Sequence, residues 1–156
     1  MKKNDILIGS LFVVSLLFSL LIHINWNNNK VSNQANVHEQ EWKTSPIFSV
    51  GERTMVGQPA KIGILDTAFI AGKQKGVHWF LWGDQKKLVK GTFKLTASTQ
   101  GARPLTIVEN YAIAYGSEGV DAQVPTLMSI PSPGLWKLVA YVDDEIYGSI
   151  VIRVSE

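Results

Sequence analysis

Apolar residues fall into two textures along the chain. Ile6 to Ile24 (ILIGSLFVVSLLFSLLIHI) is a nearly unbroken apolar run, whereas from Ser45 onward the apolar residues come in short runs punctuated by Gly, Pro and Asp. The first texture predicts a helix. At 1.5 Å per residue its 19 residues span about 28 Å, close to the roughly 30 Å hydrocarbon core of a bilayer. Lys2 and Lys3 precede it, so the positive-inside rule places residues 1–5 in the cytoplasm and everything after Trp26 outside the cell. The run therefore reads as a single-pass anchor in the cell membrane. The competing reading is a signal peptide cleaved after Ala35 in SNQA, where Asn33 is a poor residue for the −3 position. Residues 25–44 are rich in Asn and Gln, and their few apolar residues fit neither a helical nor a strand period. They read as a flexible linker.

The second texture predicts strands. IFSV (47–50), AKIGIL (60–65), GVHWFLW (76–82), LVKGTFKLTA (88–97), PLTIV (104–108), AIAY (112–115), TLMSI (126–130), LWKLVAYV (135–142) and IYGSIVIRV (146–154) are short, β-prone and mostly separated by turn residues. No stretch sustains a 3.6-residue period. That number of strands over residues 45–156 predicts an all-β domain, a β-sandwich, with a small antiparallel barrel as the alternative.

The last two runs predict a hairpin across Asp143, Asp144 and Glu145. Trp136, Leu138, Ala140 and Val142 should share one face, and Ile146, Ile150, Ile152 and Val154 one face of the second strand. Upstream, PSPGLW (131–136) places Pro-Gly before an aromatic. Trp136 is thus assigned to the core, at a corner where the chain changes sheets.

The stretch GVHWFLWGD (76–84) raises a sharper question. Alternation sends Val77, Trp79 and Leu81 to one side and His78, Phe80 and Trp82 to the other. Trp79, between Val77 and Leu81, is assigned to the core. The opposite face is too apolar to stand in water without reason. Either a neighbouring segment covers it, such as FIAGKQKG or residues 116–125, or His78, Phe80 and Trp82 form an aromatic platform for a ligand or partner.

Composition narrows the chemistry. The chain has no cysteine, which excludes disulfides, cysteine nucleophiles, cysteine-bound metals and a lipid attached through cysteine. From Ser45 onward there are 11 basic and 10 acidic residues, so no basic face for nucleic acid is implied. The three histidines, His23, His38 and His78, fall in three different regions. No metal site and no Ser-His-Asp arrangement can be assembled from them, except around His78. The carboxylates Glu118 and Asp121 in SEGVDAQ are the candidates to join it. GKQKG (72–76) lacks the spacing of a phosphate loop. No cofactor is implied.

KIGILDTAFIAGKQKGVHWFLWG (61–83) and GVDAQVPTLMSIPSPGLWKLVAYVDDEIYGSIVIRV (119–154) resemble an uncharacterised immunoglobulin-like family, a domain of unknown function in secreted or membrane-anchored proteins of bacillus-type Gram-positive bacteria. The Trp-rich strand ending at Gly83 and the PSPGLWKL…GSIVIRV ending carry the likeness. The family's aromatic strand places a His after its first Trp, whereas His78 precedes Trp79. Many members are lipoproteins; here the helix at 6–24 would replace the lipid. The resemblance implies fold and location, and no catalytic residue.

The expectation is a non-catalytic, extracellular binding module of unknown ligand, held to the membrane by Ile6–Ile24, with an envelope protein or wall glycan as partner. The alternative is an envelope hydrolase or metal-dependent enzyme built on His78 with Glu118 or Asp121. A sensory ectodomain is a third reading, but five residues of cytoplasmic tail would need a membrane partner to signal.

Overall fold

The computed structural model describes residues 42–156. The membrane helix expected at Ile6–Ile24, the tail before it and the linker up to Glu41 lie outside the described residues. Among the described residues no helix is long and apolar enough to cross a membrane.

Eleven strands and one short helix follow in order: β1 (Ile47–Val50), β2 (Arg53–Gln58), β3 (Ile62–Leu65), β4 (Phe69–Ile70), β5 (Gln74–Leu81), α1 (Gln85–Leu88), β6 (Thr92–Ser98), β7 (Leu105–Ala112), β8 (Ala114–Tyr115), β9 (Ala122–Ser129), β10 (Gly134–Val142) and β11 (Glu145–Ser155). They form two sheets in a sandwich. The first runs β1-β2-β3-β5-β9-β8 and the second β4-β11-β10-β6-β7. Neighbouring strands are antiparallel except β4, which lies parallel to the end of β11. This is the all-β, two-sheet architecture that the run of short strands predicts.

Alternation explains the core. The row Val56–Ile64–Trp79–Val124 crosses four strands of the first sheet and faces inward. Trp136, Leu138 and Ala140 of β10 and Ile150, Ile152 and Val154 of β11 face it from the second sheet, all buried. Trp79 is 0 % exposed, and its ring lies 5.6 Å from that of Phe93 on β6. Its indole N–H donates to the Thr126 hydroxyl at 3.2 Å, which in turn donates to the Val77 carbonyl at 3.1 Å. A tryptophan at the centre of a sandwich must place its polar edge on a partner, and β9 supplies one. Trp136 is buried where the chain enters β10, and its indole N–H donates to the Ser132 carbonyl four residues upstream at 2.9 Å.

Several expectations change. RTMVGQ, passed over in the sequence, forms β2, because Met55 and Val56 pack on opposite faces between β1 and β3. The run 88–97 is not one strand. Asp84 caps a helical turn by accepting from the backbone N–H groups of Lys86 and Lys87 at 3.1 and 3.2 Å, and the strand begins only at Thr92. The runs 104–108 and 112–115 form one longer path, β7 and β8, which crosses from the second sheet to the first at buried Ile113. Ile146 does not share the face of Ile150. A bulge opposite Ala140 and Tyr141 absorbs Tyr147, pairs Ile146 with Tyr141 and leaves Ile146 71 % exposed. The hairpin itself turns on Asp143 and Asp144 alone, both at positive φ (50° and 63°), the geometry of a type I′ turn. Asp143 also accepts from the Thr92 backbone N–H at 2.8 Å, tying the turn to β6.

Because Trp79 touches both sheets and is fully enclosed, Trp79→Ala should cost about 3–5 kcal/mol. The measurement is denaturant unfolding followed by circular dichroism; a loss below about 1 kcal/mol would place Trp79 outside the core.

Candidate functional site

The outer face of the first sheet carries the residues singled out in GVHWFLWGD. Phe80 is only 5 % exposed. It sits in a second apolar cluster with Met55 and Val120, flanked by Phe48, Val50 and Trp82. Phe48 reaches across the sheet because Gly63 is beneath it: a Cβ on Gly63 would come within 2.9 Å of the Phe48 ring. Arg53 holds its guanidinium 5.4 Å from the Phe80 ring centroid and pairs with Glu118 at 2.6 Å.

The cover comes from the segment joining β8 to β9. Glu118 and Gly119 both take positive φ (53° and 83°), which folds the chain back on itself. The Gly116 N–H donates to the Asp121 carbonyl at 3.0 Å, and a side chain at Gly116 would strike the Val120 carbonyl at 2.1 Å. The turn delivers Val120 into the cluster. Half-buried Trp82 clamps it, its indole N–H donating to the Gly119 carbonyl at 2.6 Å and its ring meeting Phe48 at 6.0 Å edge-on. Asp121 accepts from the Gly83 N–H at 2.8 Å, and its carbonyl accepts from Gln85 Nε2 at 2.8 Å.

The three residues proposed as a platform are thus divided. Phe80 is core, Trp82 is a clamp, and His78 alone is exposed, its ring 6.4 Å from that of Phe80. Around His78 the same face exposes Leu65, Pro125 and Leu127. Sequence reasoning missed these three, because their exposure depends on strand register. His78 is not joined to the carboxylates. Glu118 is paired with Arg53 and Asp121 with Gly83. Among the described residues no group of three His, Cys, Asp or Glu side chains is placed to hold a metal ion.

A cleft of about 520 Å³ lies at one end of the sandwich, between the turn after β5 and the β10–β11 hairpin. Lys61, Trp82, Asp84, Lys87, Glu145 and Tyr147 are among its lining residues. Smaller clefts of about 200 and 190 Å³ flank Phe69. None of the three is lined by His78, Glu118 or Asp121. In the large cleft Lys61 stands 4.1 Å from the Tyr147 ring centroid, and the Tyr147 hydroxyl donates to the Trp82 carbonyl. Burial raises the Tyr147 phenol above its usual range, and the charge on Asp121 adds to the shift.

The family model described as "Domain of unknown function (DUF4871)" matches residues 31–152. A crystal structure of a candidate lipoprotein from Bacillus anthracis superposes with a TM-score of 0.55 at 22% sequence identity, covering 80% of this chain and 91% of that one. Likeness at that identity is a likeness of fold. No curated protein matches the chain.

Two outcomes test the clamp and the cleft. Trp82→Phe keeps an aromatic ring and removes the bond to Gly119. It should cost about 1 kcal/mol and speed hydrogen exchange across residues 116–121, while leaving β10 and β11 unchanged. Tyr147 also makes stability depend on alkaline pH. Its raised value means that the folded state holds the phenolic proton more tightly than the unfolded chain does. Its contribution is complete below about pH 10 and is lost as pH rises through the folded-state value. Melting curves between pH 8 and 12 should fall more steeply for the wild type than for Tyr147→Phe.

Proposed function

The chain belongs to the DUF4871 family, whose model spans most of its length, and on that premise we propose that it is a non-catalytic interaction module of the cell envelope. Ile6–Ile24 would hold it to the membrane, with the sandwich outside the cell and the outer face around His78 turned to a partner. The likeness to a candidate lipoprotein supports an envelope location. In a chain without cysteine the apolar run at 6–24 would take the place of a lipid. Two packed, mostly antiparallel sheets, and an aromatic N–H bonded a few residues upstream as Trp136 is to Ser132, support an immunoglobulin-like form of the sandwich.

One observation carries the binding reading. His78 stands on an open strand face among Leu65, Pro125 and Leu127, with the candidate carboxylates Glu118 and Asp121 committed elsewhere. An exposed imidazole beside apolar side chains offers a partner one hydrogen-bonding group in an otherwise greasy patch, the mixture that interface centres favour. A hydrolase built on His78 would need Glu118 to leave Arg53 or Asp121 to leave Gly83. The partner would be an envelope protein or a wall glycan.

Cross-linking in intact cells that express the tagged full chain tests this reading. The wild type should retain an envelope partner that His78→Asp and Leu65→Asp lose, with both variants as stable as the wild type. Protease added to protoplasts should digest the domain while cytoplasmic markers survive. Equal capture by all three chains would remove the face from the reading, and a protected domain would remove the location.

A further inference from the structure

The first sheet ends in a strand that is only partly paired. β8 pairs with β9 through Ala114–Gln123 and Tyr115–Ala122 alone. Before it, up to Ile113, the chain still belongs to β7 of the second sheet. From Val124 to Ser129, β9 therefore has β5 on one side and, among the described residues, no hydrogen-bonded strand on the other, although β7 of the second sheet approaches β9 before the crossing.

The phase of the ladder shows which backbone groups are left over. The Trp82 N–H donates to the Lys61 carbonyl at 3.1 Å, which makes Ile62 and Leu81 a non-hydrogen-bonded pair and turns the Leu81 backbone toward β9. Antiparallel pairs alternate. Counting along β9 from the Leu81–Ala122 pair, Gln123, Pro125, Leu127 and Ser129 turn their backbone groups away from β5. Pro125, which has no N–H to give, falls in this outward phase, as an edge proline must.

The other edges are guarded in the ways that keep sheets from joining. β1 is four residues long and β4 two. β7 carries the charge of Glu109, a left-handed Asn110 (φ 58°) and two register shifts against β6. β9 has a single guard, Pro125. Its eight residues, AQVPTLMS, carry no charge, and Leu127 is 51 % exposed.

We propose that β9 is a docking edge for a second copy of this chain, which adds its own β9 antiparallel across a twofold axis at Leu127. The proline selects this register. An axis at Pro125 would oppose two residues that cannot donate. An axis at Leu127 lets the two Leu127 residues exchange both backbone bonds and places each Ser129 N–H against the Pro125 carbonyl of the other copy. The two Leu127 side chains then cover each other on the outer face. An uncharged strand offers nothing to a charged partner and nothing to repel itself. A twofold pairing also uses up the edge, so that assembly stops at the dimer. This goes beyond the function proposed above and holds whether or not the His78 face binds a partner.

The absence of cysteine makes the test direct. In membranes of cells expressing the full chain, Leu127→Cys should give a covalent dimer with a short thiol-to-thiol cross-linker. Leu105→Cys, 49 % exposed on β7, should stay monomeric. Adding Ser129→Pro to Leu127→Cys removes the outer donor and should abolish the product. Leu127→Lys leaves the backbone intact and sets like charges on the axis. Detergent-extracted full chain should run as a dimer by light scattering, and Leu127→Lys as a monomer. The proposal is overturned if Leu127→Cys cross-links no better than Leu105→Cys. It is equally overturned if Ser129→Pro leaves the product undiminished, if the wild type is monomeric throughout, or if Leu127→Lys stays dimeric.

Discussion

Burial of β5 on both faces is the constraint from which the rest of the domain follows. Trp79 points into the space between the sheets, where it meets Phe93 and has its N–H bonded to Thr126. Phe80, the next residue, points the opposite way and must be enclosed by something outside the sandwich. Antiparallel sheets commonly leave one face to water. Here two adjacent aromatic residues forbid it, and the cost of leaving Phe80 wet is removed only if other chain segments are brought over it.

That demand organises the region around it. β1 and β2 contribute Phe48, Val50 and Met55, Gly63 gives the Phe48 ring its place, and the turn at Glu118 and Gly119 brings Val120 down from above. The polar contacts then serve the apolar ones. Trp82 holds the Gly119 carbonyl, and Asp121 holds the start of the turn into α1. The Arg53–Glu118 pair adds little by itself, since Glu118 is largely solvated, but it sets Arg53 over the Phe80 ring. The carboxylates that the sequence offered to His78, Glu118 and Asp121, are thereby committed to closing a cluster.

How much of this was legible in the sequence depends on how far each signal reaches along the chain. β10 and β11 were legible because alternation is local and the turn is two residues long. The departure of Ile146 was not, since a bulge changes one position and leaves the composition of the strand untouched. β2 was missed because RTMVGQ has only two apolar residues, and these face opposite sides. The start of β9 was missed because Pro125 demotes a strand on paper, a rule that holds for central strands and lapses at an edge. The two faces of β5 were legible as two faces. Residues 116–125 were one of two segments the sequence offered as cover; that they, and not FIAGKQKG, close over Phe80 was not legible, because they lie about 40 positions away and are placed by two left-handed residues that carry no hydrophobic signal.

The same reasoning changes what aromatic richness means in a chain of this kind. A run such as HWFLW invites comparison with a ligand platform, since stacked rings and a histidine are what a binding face would use. Burial divides the run by position. Trp79 and Phe80 go to two cores and Trp82 to a clamp, and only His78 reaches water. With no cysteine to brace it, the domain relies on packing on both sides of one strand. What remains for recognition is the residue set that packing left out: an imidazole, a proline and two leucines on a sheet whose last full-length strand is half unpaired. Of these, only the imidazole would be chosen from the sequence for its chemistry; the proline and the leucines would not. They stand out only once the aromatic residues beside them have been assigned to holding the fold together.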